Sequence, residues 1–134
     1  MKIKILIINV IFLTLFIFSG CENNKVNTSG LKGTWVEIDT KTDTIIFKTN
    51  DQSGTFLLYR GFEIKNGYVL PKIGSGPYSY NIIDDKIKIV DLFSSIAEGN
   101  YFYFSFDQGH ELFQIGMFSF FETNKAILTF KKIK

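Results

Sequence analysis

Residues 78–90 read Tyr-Ser-Tyr-Asn-Ile-Ile-Asp-Asp-Lys-Ile-Lys-Ile-Val, and this stretch decides the fold class. Apolar and polar side chains alternate on both sides of Asp84-Asp85, which is the period of a β-strand with one buried face. Asp84 and Asp85 are residues typical of a tight turn. The stretch therefore predicts a β-hairpin with one face in a core and the other in solvent.

Similar runs recur along the chain, and no stretch of a dozen residues has the spacing of an amphipathic helix. The predicted strands are Gly33–Ile38, Thr44–Lys48, Thr55–Ile64, Tyr78–Ile82, Lys86–Val90, Tyr101–Phe106, Glu111–Met117 and Ala126–Ile133. About eight strands with mostly short connections predict an all-β, antiparallel up-and-down barrel. A sandwich is the alternative, but it needs longer crossovers than most connections here provide. The longest predicted connections are Lys65–Gly76, Leu92–Gly99 and Phe118–Lys125.

The first 20 residues have the pattern of a secretory signal peptide. Lys2 and Lys4 precede an apolar run, residues 5–18, and two small residues lead into Cys21, the only cysteine of the chain. A charged start, an apolar centre and small residues before a cleavage site are the features that signal peptides share. A transmembrane helix, which needs roughly 18 to 20 apolar residues, and a plain secretory peptide with a free thiol are the alternatives.

The end of this segment, Phe18-Ser19-Gly20-Cys21, resembles the lipobox of bacterial lipoproteins. The resemblance implies that residues 1–20 are removed and that Cys21 becomes an acylated, palmitate-bearing terminus that anchors the protein to a membrane. More than one acyl chain gives the stable anchoring that a single chain does not. Residues 21–30 are polar and predict a flexible tether. The predicted location is the bacterial cell envelope, at the outer membrane and facing the periplasm.

Removing the leader also removes the excess positive charge. Lys2 and Lys4 are two of the 15 basic residues, so the remaining chain carries 13 basic and 13 acidic residues. A neutral domain lacks the basic surface that nucleic-acid binding requires. Residues 31–134 have the size of one domain, and we expect them to form the barrel.

The opening of this domain, Leu31-Lys32-Gly33-Thr34-Trp35, is similar to the G-x-W motif that begins the first strand of lipocalins and related calycin barrels. Gly33 and Trp35 are the matching positions. The resemblance implies a lipocalin-like barrel, as in small bacterial lipoproteins that carry such a domain. Classical lipocalins also stack an arginine near the end of the barrel on this tryptophan, and the late cations here are Lys131 and Lys132.

The residues that enzymes and metal sites need are scarce. His110 is the only histidine, and its place beside Gly109 favours a solvated turn residue. A catalytic triad needs a nucleophile and an acid around the histidine, and a zinc site needs three or four protein ligands. Asp84 and Asp85 are explained by the hairpin turn better than as calcium ligands. We therefore predict a non-enzymatic binding protein with no catalytic residue, metal or cofactor.

An eight-stranded barrel is just wide enough to be filled by side chains or to hold one small ligand. The phenylalanines at inward positions favour filling; they are Phe47, Phe56, Phe102, Phe104, Phe106, Phe113 and Phe130. A hollow interior is the alternative. The residues predicted to contact a small apolar ligand are Trp35, Phe56, Arg60, Tyr78, Tyr80 and Phe104.

Two charged positions are ambiguous. Strict alternation places Arg60 on the same face as Phe62, where it could hold an acidic ligand group, whereas a bulge at Gly61 would turn it outward. Trp35 shares its face with Glu37 and Asp39, so either the first strand bulges or these acids lie at the mouth of the barrel. The bulge is the simpler explanation for Arg60.

The segment Gly74-Ser75-Gly76-Pro77 is explained most simply as a mobile loop. Because tyrosines follow it, it is also faintly similar to the inhibitory loop of bacterial lipoproteins that block lysozyme. The sequence therefore predicts binding of a small apolar ligand or of a protein partner, with lysozyme inhibition through the Gly74–Pro77 loop as the alternative. A hollow interior would favour the small ligand, and a packed interior with a projecting loop would favour the protein.

Overall fold

The computed structural model describes residues 26–95, 98–107, 109–119 and 125–134. Its strands are β1 Gly33–Glu37, β2 Thr44–Phe47, β3 Ser53–Tyr59, β4 Phe62–Lys65, β5 Tyr68–Pro71, β6 Gly76–Ile83, β7 Lys86–Asp91, β8 Asn100–Phe106, β9 Leu112–Gly116 and β10 Ile127–Lys132. The leader and Cys21 lie outside the described residues, so their cleavage and acylation stay predictions. Within the described ranges, no helix is both long enough and apolar enough to span a membrane.

Eight of the strands form a closed antiparallel barrel. Its order is β1-β2-β3-β6-β7-β8-β9-β10, and β10 pairs with β1 to complete the circle. The closing register joins Trp35 to Lys132 and Glu37 to Phe130. The predicted all-β, up-and-down barrel is confirmed, and the sandwich is excluded because one continuous sheet returns to its first strand.

The hairpin predicted from residues 78–90 is formed by β6 and β7. Tyr80 pairs with Ile89 and Ile82 pairs with Ile87 across the two strands. These four side chains are at most 5% exposed, so the apolar face of the alternating pattern is the one that enters the core. The turn between the strands places Asp84 at φ +53°, a conformation that aspartate tolerates better than most residues.

The predicted strand Thr55–Ile64 is two strands that belong to different sheets. β3 ends at Tyr59 and β4 begins at Phe62, and between them Gly61 has a φ of +78° that redirects the chain. Phe62, which strict alternation places on the same face as Arg60, is 56% exposed, whereas Arg60 is 4% exposed. The predicted connection Lys65–Gly76 contains β5, and among the described strands its only partner is β4. We name the resulting two-stranded element, Phe62–Pro71, the rim hairpin.

The two ends of the barrel are covered differently. At the lower end, Leu31 is fully buried and accepts a hydrogen bond from Trp35 Nε1 at 2.8 Å. Thr28 Oγ1 donates to Asn50 O at 2.6 Å, so the described half of the predicted tether, residues 26–30, is attached to the barrel. At the upper end, where β1, β3, β7 and β9 terminate, the rim hairpin leaves the barrel.

Aromatic side chains fill the space inside the barrel. The Phe113 ring lies 5.0 Å from Trp35, 5.7 Å from Phe47 and 4.9 Å from Phe130, measured between centroids. Five of the seven phenylalanines predicted to face inward are buried, and Phe102 and Phe106 are half-buried and pack against that core. Contacts between large rings stabilise beyond the area they bury. The described residues therefore form a packed interior, as the aromatic content favoured.

Candidate functional site

Arg60 is held inside the upper end of the barrel by an aspartate of the chain itself. Its guanidinium Nε donates to Asp43 Oδ1 at 3.0 Å, and both side chains are 4% exposed. A buried charge needs a partner, and Asp43 supplies it without an acidic ligand group. The outward turn predicted from a bulge at Gly61 is wrong, because Gly61 redirects the backbone after Arg60 and leaves the guanidinium inside.

The same arginine fixes the base of the rim hairpin. Its Nη1 donates to Ile73 O at 2.6 Å, and its backbone N–H donates to Ser75 Oγ at 3.2 Å. Lys72 N–H donates to Gly61 O at 3.1 Å and closes the base from the other side. The hairpin is therefore mounted on a defined platform, although β4 and β5 themselves lie outside the barrel wall.

One face of the rim hairpin is apolar and exposed. The register pairs Phe62 with Pro71 and Ile64 with Val69, so these four residues share a face. Ile64 is 79% exposed, Val69 66% and Phe62 56%. Contiguous exposed apolar side chains on a folded protein mark sites of contact with another molecule. The rim hairpin is thus the strongest candidate site on the described surface.

A cleft of about 310 Å³ opens at the mouth of the barrel beside the base of the hairpin. Its lining includes Tyr78, Ile89, Phe102, Phe118, Asp91 and Glu98. The Tyr78 hydroxyl donates to Gly74 O at 2.8 Å. Burial raises the pKa of Tyr78; a hydrogen bond with the Ser119 side chain opposes the rise, and the nearby Asp91 carboxylate adds to it. The volume is at the small end of the range for ligand sites.

The six residues predicted to contact a small ligand are brought into the packed interior. Phe56 stacks on Tyr78 at 5.3 Å and lies 6.1 Å from Tyr80. Trp35 and Phe104 both contact the Phe113 ring, at 5.0 and 5.9 Å. Each of the six is at most 6% exposed. Of these six, Tyr78 also lines the mouth cleft and Phe104 also lines a groove at the lower end.

Glu37 is a second buried acid at the upper end of the barrel. It is 1% exposed, and its carboxylate accepts hydrogen bonds from Thr40 N at 2.6 Å, Thr40 Oγ1 at 2.7 Å and Asp39 N at 3.0 Å. β1 pairs in unbroken register on both sides. Of the two interpretations for this strand, the structure supports an acid at the mouth of the barrel rather than a bulge.

The segment Gly74–Pro77 does not project from the barrel. All four residues are half-buried, Ser75 Oγ accepts the Arg60 N–H, and Gly76 and Pro77 belong to β6. The element that projects at this end is the rim hairpin, which ends at Pro71 and is separated from the segment by two residues.

The groove at the lower end has a volume of about 800 Å³ and is lined in part by Val26, Asp84, Asp85 and His110. His110 is half-buried in its turn, with its ring 5.2 Å from Phe106 and its Nε2 3.4 Å from Ser29 Oγ. Among the described residues, no three His, Cys, Asp or Glu side chains are grouped so that they could hold a metal ion.

The rim hairpin was missed by sequence reasoning, although its turn carries a signal. Asn66-Gly67 has positive φ at both residues, 54° and 81°, the geometry of a type I′ turn for which Asn-Gly is the preferred dipeptide. Apolar residues flank this dipeptide on both sides. Turn residues between two β-rich runs predict a hairpin, as at Asp84-Asp85. The same pattern at Asn66-Gly67 predicts β5.

No protein-family model, no curated protein and no solved structure matches this chain.

Proposed function

We propose that this chain is a bacterial lipoprotein with a lipocalin-like barrel, anchored in the cell envelope through Cys21, that binds a protein partner with its rim hairpin and catalyses no reaction. The observation that carries the proposal is the apolar face of that hairpin, in which Ile64 is 79% exposed on a base clamped by Arg60. A rigid platform lowers the entropy lost when the exposed face meets a partner.

The lipocalin-like part of the proposal is supported by the environment of Trp35. Lys132 Nζ lies 5.4 Å from the centroid of the Trp35 ring and donates to Gly30 O at 2.6 Å. A cation over this tryptophan is the arrangement that the resemblance implies, with lysine in place of arginine. Cation–π contact and a backbone hydrogen bond together hold the last strand over the first.

A protein partner is favoured over a small apolar ligand because the interior is occupied. The Phe47 ring lies 5.3 Å from Phe56 and 5.7 Å from Phe113, measured between centroids, and such contacts fill the barrel. A ligand inside would have to displace these side chains, and close-packed cores resist such insertion. On the described surface, the mouth cleft and the groove at the lower end are outside this packed interior and remain open to a small molecule.

The position of the proposed anchor also favours a protein. Cys21 is five residues before Val26, so the Cys21 Cα is at most about 18 Å from the Val26 Cα, and Val26 is near the lower end of the barrel. The rim hairpin leaves the opposite end. The hairpin thus faces away from the anchoring membrane, toward other proteins of the compartment.

The test is photo-crosslinking in bacteria that express the full chain with a photoreactive amino acid at Ile64. We expect a protein adduct from position 64. The matched control carries the same group at Ile83, which is 46% exposed at the lower end of β6, and we expect no adduct there. Absence of a protein adduct at 64, or equal adducts at both positions, would overturn the proposed function.

Anchoring is tested separately. We expect the wild-type chain in the membrane fraction as a cleaved, acylated species, and the Cys21→Ser chain uncleaved and without acyl groups. Native mass spectrometry of the purified wild-type chain tests the alternative function, binding of a small apolar ligand. A retained small molecule would favour that function.

A further inference from the structure

We propose that the partner of the rim hairpin is a second copy of this chain, and that the two copies pair antiparallel through β4 about a two-fold axis at Ile64. This inference rests on the proposed function, because it names the partner of the same surface. It is carried by the hydrogen-bonding edge and the charge pattern of the hairpin.

The backbone of β4 has a free edge. Hydrogen-bonded and non-hydrogen-bonded pairs alternate along an antiparallel ladder. The bond from Lys72 N–H to Gly61 O marks one hydrogen-bonded pair, and the two-residue turn at Asn66-Gly67 marks Lys65–Tyr68 as another. The alternation then makes Glu63–Leu70 the third hydrogen-bonded pair. The N–H and C=O of Ile64 therefore point away from β5. In the described ranges no other strand pairs with this edge of β4.

The outer edge of β5 is a poorer template. By the same alternation, the groups that point outward there belong to Val69 and Pro71. Pro71 has no backbone N–H and cannot donate to an added strand. An incoming strand therefore finds a complete set of donors and acceptors only on β4, and free edges of this kind are the usual site of strand addition.

The sequence Glu63-Ile64-Lys65 is complementary to itself when read antiparallel. With Ile64 opposite Ile64 of the second copy, each Glu63 lies opposite a Lys65 and each Lys65 opposite a Glu63. The Ile64 residues form the hydrogen-bonded pair, and the charged residues fall in the closer, non-hydrogen-bonded pairs, about 4.5 Å between Cα atoms. Opposite charges at such positions stabilise a sheet, and a two-fold axis supplies the interaction twice.

Neighbouring registers are disfavoured by the same residues. A symmetric register centred on Glu63 sets the two glutamates against each other, and one centred on Lys65 sets the two lysines against each other. A register shifted by one position places either Glu63 or Lys65 opposite Ile64 of the other copy and mixes the apolar face with the polar one. The register about Ile64 places the apolar faces of the two hairpins on the same side and pairs each Glu63 with a Lys65.

The dimer also brings the apolar faces of the two hairpins together. Ile64 and Val69 share that face, so the Ile64 side chains meet at the centre of a four-stranded ribbon. Burying part of this exposed side chain adds hydrophobic stabilisation. The proposed membrane anchor raises the local concentration of the copies and favours pairing further.

The first experiment is sedimentation equilibrium of the full chain in density-matched detergent. We expect a concentration-dependent monomer–dimer equilibrium. Glu63→Lys or Lys65→Glu alone turns two attractive pairs into two repulsive ones and should weaken the dimer about tenfold or more. The double variant restores opposite charges and should restore the dimer. A chain that stays monomeric, or a dimer that ignores the single swaps, would overturn the proposal.

The second experiment tests the axis in a Cys21→Ser background. Ile64→Cys places one thiol opposite its symmetry mate, within the reach of a disulfide, and we expect a covalent dimer under mild oxidation. Val69→Cys is the matched control, on the same face and similarly exposed but on β5, and should stay monomeric. Equal crosslinking of both variants would rule out the β4 seam. Circular dichroism and thermal unfolding check that the variants are folded.

The photo-crosslinks from position 64 in cells separate this inference from the proposed function. An adduct with the mass of two copies supports both. An adduct with the mass of one copy plus another protein supports the proposed function and overturns the dimer. Crosslinks to lipid alone overturn both.

Discussion

Arg60 and Asp43, 17 residues apart in sequence, form a buried ion pair with Nε and Oδ1 separated by 3.0 Å. The pair joins the end of β3 to the residue before β2. At the base of the rim hairpin, Arg60 Nη1 also donates to Ile73 O, and the Arg60 backbone N–H donates to Ser75 Oγ. Arg60 therefore couples the wall of the barrel to the element proposed to bind a partner.

Breaking this ion pair should be costly. Asp43→Ala leaves the Arg60 charge buried without its partner, and we expect a loss of about 3–5 kcal/mol in the free energy of unfolding. The double variant Asp43→Ala with Arg60→Met removes both charges and should be more stable than Asp43→Ala alone. Urea unfolding of the wild type, both single variants and the double variant measures the coupling energy between residues 43 and 60. Strictly additive losses would contradict a direct interaction.

Glu37 should be required for the turn after β1. Glu37→Ala removes the acceptor for Asp39 N, Thr40 N and Thr40 Oγ1, and we expect it to destabilise by about 1–3 kcal/mol. Glu37→Gln keeps one carbonyl acceptor and should cost less. The control is Glu111→Ala at an exposed position, where the change should stay within about 0.5 kcal/mol. Equal losses at Glu37 and Glu111 would show that the three hydrogen bonds contribute nothing.

Trp35 should report on closure of the lower end. It is the only tryptophan and is fully buried, with Nε1 donating to Leu31 O at 2.8 Å. Trp35→Phe loses that hydrogen bond and leaves a small cavity, so we expect a loss of about 2 kcal/mol, while Trp35→Ala should cost about 3–5 kcal/mol. Chemical unfolding followed by circular dichroism measures both. A Trp35→Phe protein as stable as the wild type would contradict the bond to Leu31.

Tyr80 should make stability depend on alkaline pH. Burial raises the pKa of Tyr80 from 10.0 to about 12, with the Asp51 charge as a smaller cause. The unfolded chain therefore releases this proton at lower pH than the folded chain does. Stability from this group is present below pH 10 and is lost as the pH rises toward 12, by roughly 1.4 kcal/mol for each unit.

Denaturant unfolding at pH 8 to 11.5 checks this dependence. Tyr80→Phe loses the hydrogen bond to Asp51 O, 3.0 Å long, and should be less stable at pH 8 but lose less stability on going to high pH. Tyr101→Phe, at a residue that is 56% exposed, serves as the control and should follow the wild type. A Tyr80→Phe curve parallel to that of the wild type would contradict the assignment.

Strand positions were predictable where the alternation of apolar and polar residues is uninterrupted. The β6–β7 hairpin is the clearest case, because each side chain reports locally on the face it occupies. The strand predicted over Thr55–Ile64 failed for a physical reason: alternation continues through Arg60 to Phe62, but Gly61 bends the backbone at φ +78°. A pattern of side-chain polarity carries no information about that dihedral angle.

The candidate site was less predictable than the fold. Arg60 was recognised as an unusual charge on an inward face, yet its partner Asp43 could not be chosen among the acids of the chain without knowing how β2 and β3 pair. The rim hairpin was hidden in a predicted connection, because its four-residue strands are short and expose both faces. Its Asn66-Gly67 turn was the one available signal.

The local sequence pattern was sufficient to predict an all-β chain and to favour an up-and-down barrel with an aromatic interior, because strand period and turn chemistry act over a few neighbouring residues. The pairing of Arg60 with Asp43, the burial of Glu37 and the exposure of the rim hairpin depend instead on which distant segments meet when the sheet closes. Those contacts join residues far apart in the chain, and their energies exist only once the barrel has formed.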